Sequence, residues 1–185
     1  LTEVEALRYL NLNKSASFSN KNKKEFIALG DYQKNTTIKM LTILQKFHIN
    51  NNVQIIFKPH PGNKINLNEN ELDKIATTND SIYNLSKKYD FFVTTANTSS
   101  SIDLILLRKN FLVYLDQDDF NLSYLNELKN IDYFYDNQSF DKLISSLPKN
   151  LNTIDPNQLL YLDPSLKKWK DFISDNFNSF EQNLK

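Results

Sequence analysis

A cation and an imidazole follow a short apolar run that ends in a proline-rich turn. The run Val53–Phe57 contains β-branched residues and predicts a buried strand, and Lys58-Pro59-His60-Pro61-Gly62 follows it directly. Because proline fixes its own φ angle and keeps the preceding residue extended, His60 has a stiff backbone on both sides. Ligands of open α/β sheets bind at the carboxyl ends of the strands. Lys58 and His60 are therefore candidate ligand groups; the alternative is a turn histidine and a solvated lysine.

A run of hydroxyl side chains forms the second candidate group. It lies between a predicted buried strand at Phe91–Val93 and a predicted apolar helix at Ile102–Leu107, and it ends in Thr98-Ser99-Ser100-Ser101. Hydroxyls beside the free N–H groups of a helix start favour an anion, by roughly 0.3–1 kcal/mol in exposed cases. The alternative is that one serine is an ordinary helix cap. A cap needs only one hydroxyl, so the cluster favours anion binding.

The two groups suit a phosphate ester if their strands lie side by side. A lysine or imidazole would then face hydroxyls and a helix N-terminus across one crevice, and His60 could hold a leaving phosphate or protonate it. Gly30, one of two glycines in the chain, ends a further predicted strand at Phe26–Leu29. A glycine there allows close backbone approach to a ligand, although ordinary turns also use it.

Apolar runs and helical spacing alternate along the chain. We predict strands at 26–29, 53–57, 91–93, 111–115 and 133–135. We predict helices from Asn35 or Thr36 to 47, at 71–76, at 82–88 capped by Asp80 or Ser81, at 140–147, and one capped by Asp163 near the end. This alternation predicts an α/β fold with a mainly parallel, Rossmann-like sheet and helices on both faces.

Composition limits the function further. The 185 residues have a formal net charge of zero, which argues against a nucleic-acid partner. The chain lacks cysteine and has two histidines, too few for thiolate or imidazole-rich metal sites, so we expect neither a metal nor another cofactor. No apolar run reaches the length of a membrane span and no signal peptide is visible, which predicts a cytoplasmic protein.

The beginning of the chain suggests a boundary between domains. The sequence starts at Leu1 rather than methionine, and a short helical pattern over 3–12 precedes a polar stretch over 14–24. We therefore predict that residues 1–22 are a helix and linker from a missing N-terminal domain. Residues 23–185 would form one ligand-binding domain with a closing C-terminal helix.

Several of these motifs resemble those of a known enzyme class. Lys58-Pro59-His60-Pro61, followed by Asp90–Thr95 and Thr98-Ser99-Ser100, is similar to the C-terminal half of GT-B glycosyltransferases. The His-Pro and Ser-Ser motifs resemble those of bacterial sialyl-, polysialyl- and Kdo-transferases, and related patterns occur in the glycerophosphotransferases of wall teichoic acid. The segment Glu5–Leu10 resembles the one that precedes this domain in surface-carbohydrate (O-antigen) biosynthesis proteins.

The resemblance, which covers roughly residues 1–125, implies a domain that binds a nucleotide-sugar donor in bacterial surface-polysaccharide (O-antigen or capsule) synthesis. A cytidine or uridine nucleotide is the expected donor. His60, Ser99 and Ser100 would contact its phosphate, and Gly30 would lie near the donor phosphates or the cleft between the domains. Asp103 would reach the ribose, unless it only complements the helix dipole. The acceptor would bind an absent N-terminal domain, and the protein would associate peripherally with the cytoplasmic membrane face. No residue is assigned as catalytic base.

Three alternatives remain open from the sequence. Asp116-Gln117-Asp118 matches the D-x-D pattern of metal-dependent GT-A transferases, whose carboxylates hold a divalent ion. The second alternative is a binding or scaffold module that retains the fold but has no turnover. The third alternative is a GT-B-fold sugar-nucleotide epimerase.

Overall fold

The computed structural model describes residues 6–10, 25–121, 123–128, 130–145, 154–156 and 159–182. The six strands of this part form one parallel sheet: β1 (Glu25–Leu29), β2 (Gln54–Lys58), β3 (Ala76–Thr77), β4 (Phe91–Thr95), β5 (Asn110–Tyr114) and β6 (Tyr133–Phe134). The described α-helices are α1 (Lys34–Asn51), α2 (Ile82–Lys88), α3 (Ser100–Leu106), α4 (Asn137–Ser145) and α5 (Lys167–Gln182).

The strand order is β3-β2-β1-β4-β5-β6, and every pair is parallel. This is the strand order of doubly wound Rossmann sheets, in which the chain reverses its direction of winding between β1 and β4. Ligands of such sheets bind outside the carboxyl ends of the strands at that switch point. The predicted fold class, a Rossmann-like parallel α/β sheet, is confirmed.

Alternate residues of each central strand face two separate cores. In β1, Phe26 and Ala28 pack into one apolar cluster with α1 and α4, whereas Ile27 and Leu29 pack into another with α2 and α3. Both faces of the sheet are therefore covered by helices, as the continuous apolar runs predicted.

The predicted helix over 71–76 is wrong. A 3-10 helix spans Asn68–Asn70, and strand β3 occupies Ala76–Thr77. Glu71 has a φ of 56°, a left-handed conformation that ends the 3-10 turn and cannot continue a right-handed helix. Leu72 and Ile75 are buried against the α1 side of the sheet.

Two predicted helix starts are also wrong. α1 begins at Lys34 after Gln33, so Asn35 and Thr36 lie inside its first turn. Asp163 accepts hydrogen bonds from the N–H and hydroxyl of Ser165, both at 2.8 Å, and so closes a turn ahead of α5. Leu166 then has a φ of 55°, which delays the helix to Lys167.

The cap of α2 is confirmed, because the Ser81 hydroxyl accepts a hydrogen bond from the N–H of Asn84 at 3.1 Å.

Of the helical pattern predicted over 3–12, the structure describes a 3-10 turn at Leu7–Tyr9, and the N–H of Ala6 donates to the carbonyl of Tyr161 at 3.0 Å. The predicted linker over 14–24 and the end of the predicted helix at 146–147 lie outside the described residues. No helix in the described part of the chain combines the length and apolarity needed to span a bilayer.

Candidate functional site

A cavity of about 300 Å³ opens at the carboxyl ends of β1 and β2 and the beginning of α3. Each ligand-binding residue predicted from the sequence lines it, together with four further residues. The lining is Leu29, Gly30, Lys58, Pro59, His60, Pro61, Ile82, Thr98, Ser99, Ser100 and Asp103. The two candidate groups follow strands β2 and β4. We expected these strands to lie side by side, but β1 lies between them.

Gly30 explains how the cavity forms even though β1 separates the two loops. Its N–H donates to the carbonyl of Lys58 at 2.9 Å, which brings the tip of β1 against the turn after β2. A Cβ atom at Gly30 would lie 2.9 Å from the backbone nitrogen of His60 and 3.1 Å from the ring of Phe57. Glycine is therefore required here for close approach to the His60 turn.

The ring of His60 is oriented by its own turn. The N–H of Gly62 donates to Nδ1 at 3.1 Å, and the N–H of Asn63 donates to the His60 carbonyl at 3.0 Å. Since Nδ1 accepts this hydrogen bond, the neutral ring carries its hydrogen on Nε2. His60 is half-buried at the cavity wall and can offer Nε2–H to an anion.

Lys58 supplies positive charge to the same wall. It is the last residue of β2 and half-buried. In the described ranges no acidic side chain forms an ion pair with it, unlike Lys39, which pairs with two aspartates. Its ammonium group is therefore available to a phosphate.

The hydroxyl cluster divides into two parts with different contacts. Thr98 Oγ1 accepts the N–H of Ser100 at 3.4 Å and donates to Ser100 Oγ at 3.2 Å. Ser99, at the N-cap position of α3, makes no capping hydrogen bond with its side chain. Ser101 is buried and donates to the carbonyl of Thr98 at 2.9 Å, so it supports the loop. Thr98, Ser99 and Ser100 are the hydroxyls that line the cavity.

Tyr124 supports this loop through a contact with Ser101. Its hydroxyl forms a short hydrogen bond with Ser101 Oγ. Because the Ser101 hydrogen is directed to the Thr98 carbonyl, Tyr124 is the donor in this bond. Burial raises the pKa of Tyr124 to about 12, against the opposing effect of the bond to Ser101, so the donor stays protonated at neutral pH.

Sequence reasoning missed Asp31, which joins the two loops. Its buried carboxylate accepts the hydroxyl of Thr95 at 2.6 Å and the N–H of Gln33 at 3.2 Å. Its own N–H donates to Thr37 Oγ1 at 2.9 Å, and its carbonyl accepts Asn63 Nδ2 at 3.2 Å. Through these contacts the His60 turn and the end of β4 are held to one residue. Only its position beside Gly30 pointed to it in the sequence.

Asp103 lies in the first turn of α3, is buried, and faces the cavity. A carboxylate there repels a phosphate, whereas it accepts hydrogen bonds from hydroxyl groups. Its position therefore fits a contact with the hydroxyl-bearing part of a ligand, and it also fits the helix dipole.

The acidic turn proposed as a metal site forms ion pairs instead. Lys39 Nζ lies 2.9 Å from Asp116 Oδ1 and 2.7 Å from Asp118 Oδ2, and these hydrogen bonds raise the pKa of Lys39 above its usual range. Burial alone would raise the pKa of Asp116, but the bond from Lys39 and those from Asp118 N–H and Thr36 lower it. Among the described residues no group of three or more His, Cys, Asp or Glu could hold a metal ion.

The fold and its cavity define a class: a Rossmann-like, parallel α/β domain with a crevice at the switch point. Solved structures that share the fold include UDP-GlcNAc 2-epimerase from Methanocaldococcus jannaschii in complex with UDP-GlcNAc and UDP. It matches with a TM-score of 0.53 and 16% identity, over 81% of this chain and 47% of its own. A second structure of that epimerase gives a TM-score of 0.55 and 14% identity, over 84% and 46%.

The wall teichoic acid polymerase TagF, with CDPG, matches with a TM-score of 0.50 and 14% identity, over 90% of this chain and 44% of its own. This chain spans less than half the length of each of these proteins. No protein-family model matches the sequence, and no curated protein sequence matches it. At such identities the likeness establishes the fold, and the sialyl- and Kdo-transferase details stay predictions.

The close approach at Gly30 makes a testable prediction. Gly30→Ala should lower the free energy of unfolding by about 1–3 kcal/mol, because its methyl group must displace the backbone of the His60 turn. Gly62→Ala is the matched control: its Cβ would meet only ordinary contacts, the nearest at 3.4 Å, and its φ is not positive. Urea denaturation measures both. Equal stability of the two variants would contradict the packing argument.

The ion pair at Lys39 predicts a pH dependence. The folded pKa of Asp116 is lowered, so its ionised form stabilises the protein above the unfolded pKa of about 4, and this contribution is lost as pH falls through the folded pKa. Asp116→Asn should therefore destabilise the chain at pH 7, by an amount that shrinks as the pH is lowered from about 5 to about 3. Thermal unfolding across this range measures the difference. In a Lys39→Met background the trend should weaken, because the contribution of Lys39 is lost while the bonds from Asp118 N–H and Thr36 remain. An unchanged trend would show that Lys39 is not its cause.

Proposed function

We propose that this chain is the donor-nucleotide-binding domain of a GT-B-type glycosyltransferase. The observation that supports this most is the meeting of an oriented histidine, an available lysine and a hydroxyl-lined helix start in one cavity at the switch point. These groups suit a phosphate ester, and the cavity is where a Rossmann-like sheet binds its ligand.

Each side of the cavity has a role in this proposal. Lys58 supplies the positive charge, and His60 donates Nε2–H to a phosphate oxygen. Because Nδ1 accepts the hydrogen bond from the Gly62 N–H, Nε2 is the ring nitrogen that is left to donate to a ligand. Ser99 and Ser100 donate from the opposite side, and Asp103 accepts from the ribose hydroxyls. Gly30 lets the end of β1 lie directly against the His60 turn, which forms one wall of the cavity.

We infer the biological role from the resemblance of the sequence motifs to those of surface-polysaccharide transferases. The whole protein would transfer a sugar, or a related group, from a pyrimidine nucleotide to a bacterial surface polysaccharide. An N-terminal domain would bind the acceptor and supply the catalytic base, for which no residue is assigned in this chain. The cytoplasmic location and the peripheral contact with the membrane stay predictions.

Two other functions use the same site. A sugar-nucleotide epimerase is favoured by the shared fold with the archaeal UDP-GlcNAc 2-epimerase structures. A binding module without turnover would need only the cavity. Incubating the full-length protein with UDP-GlcNAc and identifying the product distinguishes these two functions. An epimerase inverts the configuration at one carbon of the sugar without an acceptor, whereas a binding module leaves UDP-GlcNAc unchanged.

Binding of a pyrimidine nucleotide to the 185-residue chain is the first test. Calorimetric titration with CMP, CDP and UDP should show at least one of them binding below millimolar concentration. His60→Asn keeps an acceptor for the Gly62 N–H but removes the Nε2 donor, so it should weaken binding about ten- to a hundredfold, the cost of one hydrogen bond to a charged group. His60→Gln, whose amide nitrogen reaches the Nε2 position, should keep more of the affinity.

The other histidine supplies the matched control. His48 Nδ1 lies 2.6 Å from the carbonyl of Val53 and does not line the cavity, so His48→Asn should leave the affinity unchanged. If none of the three nucleotides binds at millimolar concentration, or if His60→Asn binds like the wild type, the assignment of this site is wrong.

A further inference from the structure

The Tyr32 ring lies against the imidazole of His60, although the described lining of the cavity does not include Tyr32. The two rings meet edge-to-face, with centroids 5.9 Å apart and an interplanar angle of 89°. A Cβ atom at Gly62 would lie 3.4 Å from His60 Nδ1 and 3.6 Å from Tyr32 Cε2. The ring contact is therefore beside Gly62, on the Nδ1 side of the imidazole, and it leaves Nε2 for a ligand.

Asn63 holds together the two backbones that carry these rings. Its N–H donates to the His60 carbonyl at 3.0 Å, and its Nδ2 donates to the Tyr32 carbonyl at 3.0 Å. Tyr32 reaches His60 from the end of β1, whereas the hydrogen bond to Nδ1 comes from Gly62, within the same turn as His60. The imidazole is therefore contacted from two separate segments of the chain.

The hydrogen bond from Gly62 leaves the plane of the imidazole poorly defined. The torsion that rotates a histidine ring has broad energy wells, and His60 is only half-buried, so a packed core does not enclose its ring. An edge-to-face contact favours one relative orientation of two aromatic rings. Tyr32 supplies an orientation that one hydrogen bond does not fix.

We propose that Tyr32 is a positioning residue, whose ring holds the His60 imidazole in the orientation that directs Nε2–H to a phosphate in the cavity. This rests on the proposed function. Tyr32 is 74% exposed, but single exposed aromatic rings are common on protein surfaces, so the argument depends on the contact with His60 and not on exposure.

Nucleotide affinity in two backgrounds shows whether Tyr32 acts through His60. In the wild-type chain, Tyr32→Ala should weaken binding of the tightest of CMP, CDP and UDP about two- to tenfold, which is the effect of losing one aromatic pair. In the His60→Asn background the same substitution should have no further effect, because the imidazole that it orients is absent. Tyr32→Phe, which keeps the ring, should retain the wild-type affinity.

Tyr135→Ala is the matched control. Tyr135 is also an exposed tyrosine just beyond the carboxyl end of a strand, but it follows β6, which is three places from β1 in the sheet. Its substitution should leave the affinity unchanged. Alanine at position 32 keeps the carbonyl that Asn63 holds, and Tyr32 is largely exposed, so Tyr32→Ala should unfold at the wild-type temperature.

The nitrogen resonances of His60 give a readout that needs no ligand. The chain has two histidines, so a spectrum of His48→Asn assigns the signals of His60. At a pH where the imidazole is neutral, the wild type should show one tautomer, with the hydrogen on Nε2. In Tyr32→Ala the ring should leave Gly62 more often, so the two nitrogen shifts should move toward the average of both tautomers. Tyr32→Phe should keep the wild-type spectrum.

The outcomes distinguish this inference from the proposed function. A chain that binds none of the three nucleotides overturns the proposed function, and the nitrogen spectra then decide whether Tyr32 orients His60. Unchanged spectra in Tyr32→Ala overturn the inference, whether or not a nucleotide binds. An unchanged affinity of Tyr32→Ala for a nucleotide that does bind also overturns it. So does an equal loss of affinity in both backgrounds, because Tyr32 would then act on binding without His60.

Discussion

The candidate site depends on one buried carboxylate. Asp31 accepts hydrogen bonds from Thr95 at the end of β4 and from the backbone of Gln33, and its carbonyl accepts the Asn63 side chain from the His60 turn. Burying a charged group is expensive unless its hydrogen bonds are satisfied, so these contacts are mutually required. The consequence is a cavity whose walls are tied together, and which therefore exists before any ligand binds.

The strand order explains why a residue is needed to join the two loops. The loops that carry His60 and Ser99 follow strands β2 and β4, which are separated by β1. An ordinary side chain at the tip of β1 would collide with the His60 turn, and Gly30 avoids this collision. A glycine that leaves space and an aspartate that joins the two sides thus follow one another in the chain. The switch point of the sheet becomes a crevice because of these two neighbouring residues.

The sequence predicted the fold and the lining of the cavity because both are encoded locally. Apolar runs located five of the six described strands within about two residues, and each residue proposed to bind the ligand lines the cavity. Asp31 and Asn63 escaped prediction because their partners lie far along the chain: Asp31 and Thr95 are 64 residues apart. The helix errors have a similar origin, because the left-handed backbone of Glu71 and Leu166 is not visible in a pattern of apolar residues.

A crystal structure of the chain with a bound pyrimidine nucleotide tests the central claim most directly. We expect a phosphate oxygen within hydrogen-bond distance of His60 Nε2, with a hydroxyl of Ser99 or Ser100 on the opposite side and Asp31 still bonded to Thr95. A phosphate bound elsewhere, for example at Lys39 beside the acidic turn, would contradict it. So would a nucleotide in the cavity with its phosphate turned away from His60.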